Sequence, residues 1–204
     1  MARIGKHTGR GSLVELVTIV AVALGLALGI QAFIVKPFRI PSESMEPTLD
    51  VGQRVLVDRV SYRFETPHRG DIVVFKPPRG ADDNQCGTPS YAEGRQSCPA
   101  PTPQRSDTNF IKRVVAVGGD RLKILGGRVY IDGRRQKEPF IRPDNGCGIC
   151  NLPQEITIPK GYFFMMGDNR GQSADSREWG PIPKKWMIGK ARVTYWPPGR
   201  IGIL

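Results

Sequence analysis

The longest uninterrupted apolar run in the chain covers residues 16–35 (LVTIVAVALGLALGIQAFIV), with no charge and only Thr18 and Gln31 polar. At ~1.5 Å rise per residue such a helix is ~30 Å long, the depth of a bilayer's hydrocarbon core. A buried helix of this length normally carries a polar stripe; this run has none, so it predicts a transmembrane helix. A cleaved secretory signal would also begin with basic residues such as Arg3, Lys6 and Arg10. Its apolar region is usually shorter, ~7–15 residues, and ends at a small-x-small site, whereas here Lys36 and Pro37 close the run. The reading is an uncleaved signal-anchor. Basic residues are balanced across it, with Lys36, Arg39 and Arg54 on the far side. Orientation therefore rests on the commoner arrangement: a cytoplasmic basic tail (1–15) and an extracytoplasmic domain (36–204). Gly25 and Gly29 form a GxxxG pair able to seat a second helix.

After the helix the periodicity changes. Short runs of β-branched and aromatic residues occur at 53–58 (QRVLVD), 71–75 (DIVVF), 110–117 (FIKRVVAV), 121–124, 129–131 and 163–166, each bounded by Gly, Pro, Asp or Asn. The segment GGRVYIDGRR predicts a hairpin. No amphipathic helix of twelve residues stands out. The expected fold is mainly β: an antiparallel β-sheet domain with long loops behind a single N-terminal transmembrane helix. Residues 77–108 are polar, Pro-rich and aperiodic, which predicts a surface insertion.

Composition narrows the function. A chain of 204 residues holds one medium domain with an anchor and excludes a multi-domain machine. The net charge of +11 suits nucleic acid or anionic lipid, and the apolar run favours lipid over nucleic acid. Two histidines and four cysteines leave little for a metal centre. Cys86 and Cys98 lie within the insertion, and Cys147 and Cys150 form a lone CxxC. In an oxidising compartment two local disulfides are the simplest reading, with free thiols or metal and redox chemistry as alternatives.

Hydrolysis needs a nucleophile, a base and an oxyanion site. Of the two histidines, His7 lies in the basic tail and His68 in a turn (ETPHRGD), so a Ser-His-Asp triad is poorly supplied. The other route is a serine served by a neutral lysine, whose pKa must fall several units through burial. Lys112 lies within an otherwise apolar strand and Ser44 within a proline-flanked turn, although a Lys snorkelling at a sheet edge would read the same way.

Four segments in order, 41–49 (PSESMEPTL), 69–75 (RGDIVVF), 110–120 (FIKRVVAVGGD) and 167–182 (GDNRGQSADSREWGPI), resemble the bacterial type I signal peptidases, membrane-bound Ser-Lys endopeptidases. The resemblance implies Ser44 as nucleophile, Lys112 as general base, and Ser42 with the Ser44 N–H as oxyanion hole. It implies that Ser173 orients the lysine amine and that Asp175 and Arg177 form a bracing ion pair, with Asp168 and Arg170 structural in the same loop. Segments 37–40 and 109–111 would pair with an extended substrate, and Phe38, Ile40, Met45, Leu49, Asn109 and Ile111 would contact it. Glu43, Gly171-Gln172 and the VGG before Asp120 depart from the usual family residues. No cofactor or metal is implied. The implied partners are secretory preproteins and membrane lipid, with no nucleic acid. Two rival readings are a self-cleaving Ser-Lys β-domain of the repressor type, and a tethered basic β-module without enzymatic activity.

Overall fold

The computed structural model describes residues 9–144 and 146–204; of residues 9–12 and 30–33 it describes the backbone only. The predicted tail cations Arg3 and Lys6 lie outside the described residues. The first helix, α1, runs Gly9–Phe33, and the side chains described on it, from Leu13 to Leu28, are exposed apolar ones almost throughout. Among the described residues no helix is long and apolar enough to cross a membrane. The helix passes into strand β1 (Val35–Arg39) with only Ile34 between them.

The domain beyond is antiparallel β. After β1 come β2 (Arg54–Asp58), a single helical turn α2 (Ser61–Phe64), β3 (Ile72–Phe75), β4 (Phe110–Val117), β5 (Arg121–Leu125), β6 (Arg128–Ile131), β7 (Arg134–Arg135), β8 (Leu152–Thr157) and β9 (Tyr162–Met166). A second short helix, α3 (Ser176–Trp179), precedes β10 (Ile182–Pro183), β11 (Met187–Trp196) and β12 (Gly202–Ile203). The larger sheet runs in the order β1-β2-β11-β3-β4-β9-β10, with β12 beside β11; the smaller runs β7-β6-β5-β8. All six predicted strand runs form strands, and β6 and β7 make the predicted hairpin within 126–135, with Ile131 opposite Arg134.

Three apolar clusters fill the interior. One joins the two sheets through Val115, Leu122, Ile124, Val129, Leu152 and Phe164. A second packs the turn after β1 onto the large sheet through Ile40, Met45, Leu49, Val55, Val57, Ile72, Val74 and Ile111. The third lies on the opposite face, around Phe75, Val114, Met165, Trp179 and Trp186. Strand β4 is central, buried along most of its length and flanked by β3 and β9. The insertion at 77–108 carries one 3-10 turn, Ala81–Asp83, and a bridge between Pro78 and Arg105. Cys86 and Cys98 come together with Cα atoms 5.7 Å apart, and Cys147 and Cys150 at 5.2 Å.

Candidate active site

Ser44 lies in a turn fixed from three directions. Ile40 N–H donates to Gln53 O (2.8 Å) and Gly52 N–H to Ile40 O (2.9 Å), stitching the segment after β1 to the start of β2. The chain then makes a 3-10 helix, Glu43–Met45, held down by the fully buried Met45 and Leu49. From the far side, Asn169 N–H donates to Ser44 O (3.1 Å) and Asn169 Nδ2 to Glu43 O (3.2 Å). Ser42 caps this 3-10 helix by position, but its side chain makes no capping hydrogen bond. Its hydroxyl is 3.2 Å from Ser44 Oγ. An N–H in the first turn of a helix has no partner within it, so the Ser44 amide is placed to donate outward.

Lys112, on β4, donates from Nζ to Ser44 Oγ at 2.6 Å. It is 5% exposed, with the Phe110 ring centroid 5.7 Å from its nitrogen. Burial pushes the ammonium down from 10.5 to about 8, because desolvation penalises the charged form; Arg177 acts the same way, against Asp175 and Asp168.

The wall behind the lysine is ionic and closed. Asp175 accepts from Arg177 Nε (2.7 Å) and Nη2 (2.8 Å), from the Gly167 N–H (3.1 Å) and from Ser173 Oγ (2.8 Å). Burial alone would raise its carboxyl, but the Arg177 charge and these hydrogen bonds outweigh that and hold it below the usual carboxylate range. Ser173, expected to orient the lysine amine, directs its proton to Asp175; among the described hydrogen bonds it makes none to Lys112. Gly167 is where the wall touches the nucleophile turn. A Cβ there would collide with Ser173 Oγ and Ser44 O. A Cβ on Gly171 would run into the Asp144 carboxylate.

Beside Lys112, Arg113 grips Asp168 bidentately (Nε–Oδ1 2.9 Å, Nη2–Oδ2 2.6 Å), and Thr48 Oγ1 adds a 2.5 Å bond to the same carboxylate. The guanidinium also stacks 3.8 Å from the Phe140 ring centroid. Arg170 is fully buried and pairs with Glu138 at 2.5 Å.

Two adjoining hollows open at this site. One, about 360 Å³, is lined by Ser42, Ser44, Lys112, Gln172 and Ala174 on one side and Asn109–Ile111 on the other. The second, about 390 Å³, continues along Phe38–Pro41 and Thr108–Ile111. The two share Pro41 and residues 109–111, making one groove between the end of β1 and the start of β4. Of the six residues expected to contact substrate, Phe38, Ile40, Asn109 and Ile111 line it. Met45 and Leu49 do not. Both have no exposed surface and belong to the core beneath the groove, so they shape its floor from below. His68 is exposed in the turn before β3 and lines neither hollow.

Sequence reasoning missed Asn169, Gly167 and Arg113 as parts of the site. Each acts on a residue more than fifty positions away, so spacing carries no sign of it; their place beside Asp168 or Lys112 in the motifs is the only signal that pointed there.

Comparison with known proteins identifies the family. Residues 13–196 match the family described as signal peptidase, peptidase S26. The chain is 38% identical to a signal peptidase I of Leptolyngbya laminosa over 94% of its own length and 84% of that protein. It is 34% identical to a probable signal peptidase I of Mycobacterium leprae over 95% and 79%. A signal peptidase I structure from Enterococcus faecalis V583 overlays 62% of this chain and 97% of that one at TM-score 0.39 and 20% identity. With a family match across most of its length and relatives of this closeness, the chain belongs to the signal peptidases of family S26, a family of serine peptidases.

Proposed function

We propose that this chain is a membrane-anchored Ser-Lys endopeptidase that removes N-terminal signal peptides from secretory preproteins after a small-x-small site. The observation that carries the reading is the 2.6 Å approach of Lys112 Nζ to Ser44 Oγ by an amine only 5% exposed and pushed down to about 8. At neutral pH about a tenth of such an amine is uncharged, enough to act as a general base. It takes the proton of Ser44 Oγ as that oxygen attacks the carbonyl of the residue before the cut. The Ser44 N–H and the Ser42 hydroxyl stabilise the oxyanion. The lysine then protonates the leaving amine, and water releases the acyl-enzyme.

An extended substrate adds its backbone between segments 37–40 and 109–111, with small side chains seated in the shallow apolar hollows and large ones excluded by their size. Ser173 acts on the lysine through Asp175. The exposed apolar surface of α1 supports anchoring in a bilayer, with residues 36–204 on the extracytoplasmic face. In that oxidising setting Cys86–Cys98 and Cys147–Cys150 form disulfides, their Cα separations being of the usual size for such bonds.

The test is direct. Detergent-solubilised protein incubated with a precursor bearing Ala-x-Ala should yield one new N-terminus, and Ser44→Ala and Lys112→Ala should each abolish it. Near-wild-type turnover by Lys112→Ala would remove the dyad from consideration. Ser42→Ala should lower the rate by ~10²–10³ while leaving a measurable residue, as the loss of one oxyanion donor does.

A further inference from the structure

The insertion at 77–108 takes no part in the groove as far as residue 107, yet it builds a second hollow with the core. This hollow, about 420 Å³, is lined by Arg79, Arg105, Lys185, Trp186, Pro103 and Gln104. Its three cations come from chain positions far apart, and no carboxylate lines it. The backbone that carries the two arginines is fixed. Arg79 N–H donates to Gln104 O (2.7 Å), Ser106 N–H to Pro77 O (2.7 Å), and Thr102 Oγ1 to Arg79 O (2.6 Å), while Pro78 bridges to Arg105. On the core side, Lys76 N–H donates to Trp186 O (2.9 Å), and Trp186 is a buried member of the third cluster. Asp107, whose carboxyl Lys76 and then Arg105 and Arg79 hold below its usual range, is engaged by Lys76 Nζ at 3.0 Å.

Three like charges gathered round one hollow repel one another; their side chains are exposed, and the paired backbone fixes where the two arginine stems begin. A bound anion removes that repulsion, and guanidiniums suit a tetrahedral oxyanion because they donate in a fixed fork. We propose that this hollow is a binding site for a phosphate group, either free or as the phosphodiester of a lipid headgroup. Arg79 and Arg105 contribute the forked donors, Lys185 the point charge, and Trp186 the apolar floor. The site is separate from the Ser44 groove and does not depend on the peptidase reading.

Calorimetric titration of the full-length protein in detergent tests it, with sodium chloride balancing ionic strength. Inorganic phosphate and glycerophosphoglycerol are the two probes. At least one should bind saturably at one site per chain, and Arg79→Gln and Arg105→Gln should each weaken it tenfold or more, with melting temperature and peptide cleavage unchanged. Tighter binding of the diester identifies a headgroup site; tighter binding of inorganic phosphate identifies a free-phosphate site. Lys185→Gln, a change on an exposed side chain, should weaken either by several-fold and serves if the arginine variants fold poorly. Absence of saturable binding by both probes, or affinity unaltered in all three variants, overturns the proposal.

Discussion

Lys112 and Arg113 are consecutive residues on one strand, both cationic and both buried, and the protein treats them in opposite ways. Arg113 is matched by a carboxylate with two short bonds, a third bond to that carboxylate from Thr48, and an aromatic ring over its face. Lys112 has a hydroxyl at 2.6 Å and a phenyl ring, while the carboxylate behind it, Asp175, is already taken by Arg177. Alternation along β4 sends the two side chains to opposite faces, and each face supplies a different environment. Burial with a counter-charge gives a structural rivet; burial without a free one gives an amine ready to lose its proton. The difference lies in what faces each cation, since the strand and depth are shared.

The contrast can be broken most completely by Lys112→Arg. This keeps the positive charge but installs a group that stays protonated, so cleavage should fall by ~10³–10⁴ in a single-turnover assay while the circular dichroism spectrum is retained. Asp168→Asn attacks the other half by leaving Arg113 buried without its partner. Breaking such a pair destabilises by roughly 3–5 kcal/mol, readable as a lower midpoint in urea.

Lys112→Met should do the reverse. Because the folded-state pKa is depressed from 10.5 to about 8, the folded protein holds the lysine proton less tightly than the unfolded chain does. The wild type is therefore penalised fully below about pH 8, decreasingly between 8 and 10.5, and not above. The Met variant should gain up to roughly 3 kcal/mol at pH 7, with the advantage fading as pH rises through that window. The mildest probe is pH itself. The rate constant kcat/KM should rise about tenfold per unit up to pH about 8 and then level off, following the uncharged amine. A profile flat from pH 6 to 9 would assign proton transfer to another group.

Much of this organisation was legible in the chain. Strands β2 to β6 and β9 announce themselves by β-branched runs between turn residues. Among the strands that stayed hidden, three show a physical reason. Strand β1 (VKPFR) carries Pro37 and two cations because it forms an edge, where an unpaired N–H is no asset. Strand β8 contains Pro153 and buries only Leu152 and Ile156. Strand β11 is interior, but register shifts after Ala191 and Thr194 break the alternation that would betray it. At the site, Ser44 and Lys112 were readable because motif and environment coincide. The clamp of Asn169 on Glu43 and Ser44 was not, since it exists only after β9 returns beside β4. Met45 and Leu49 were misplaced for a related reason: an apolar residue beside a nucleophile can face the groove or the core, and its letter is the same in both.

The passage from α1 into β1 through one residue has a further consequence. Ladder pairing of β1 with β2 removes slack from the tether, so the reactive hydroxyl sits at a set height from the helix end, like a blade bolted to a gauge. Under the proposed function, an incoming chain whose own apolar segment lies alongside α1 would be measured before it is cut. Lengthening the junction at Ile34 should shift which peptide bond is presented, without touching any group that performs the chemistry.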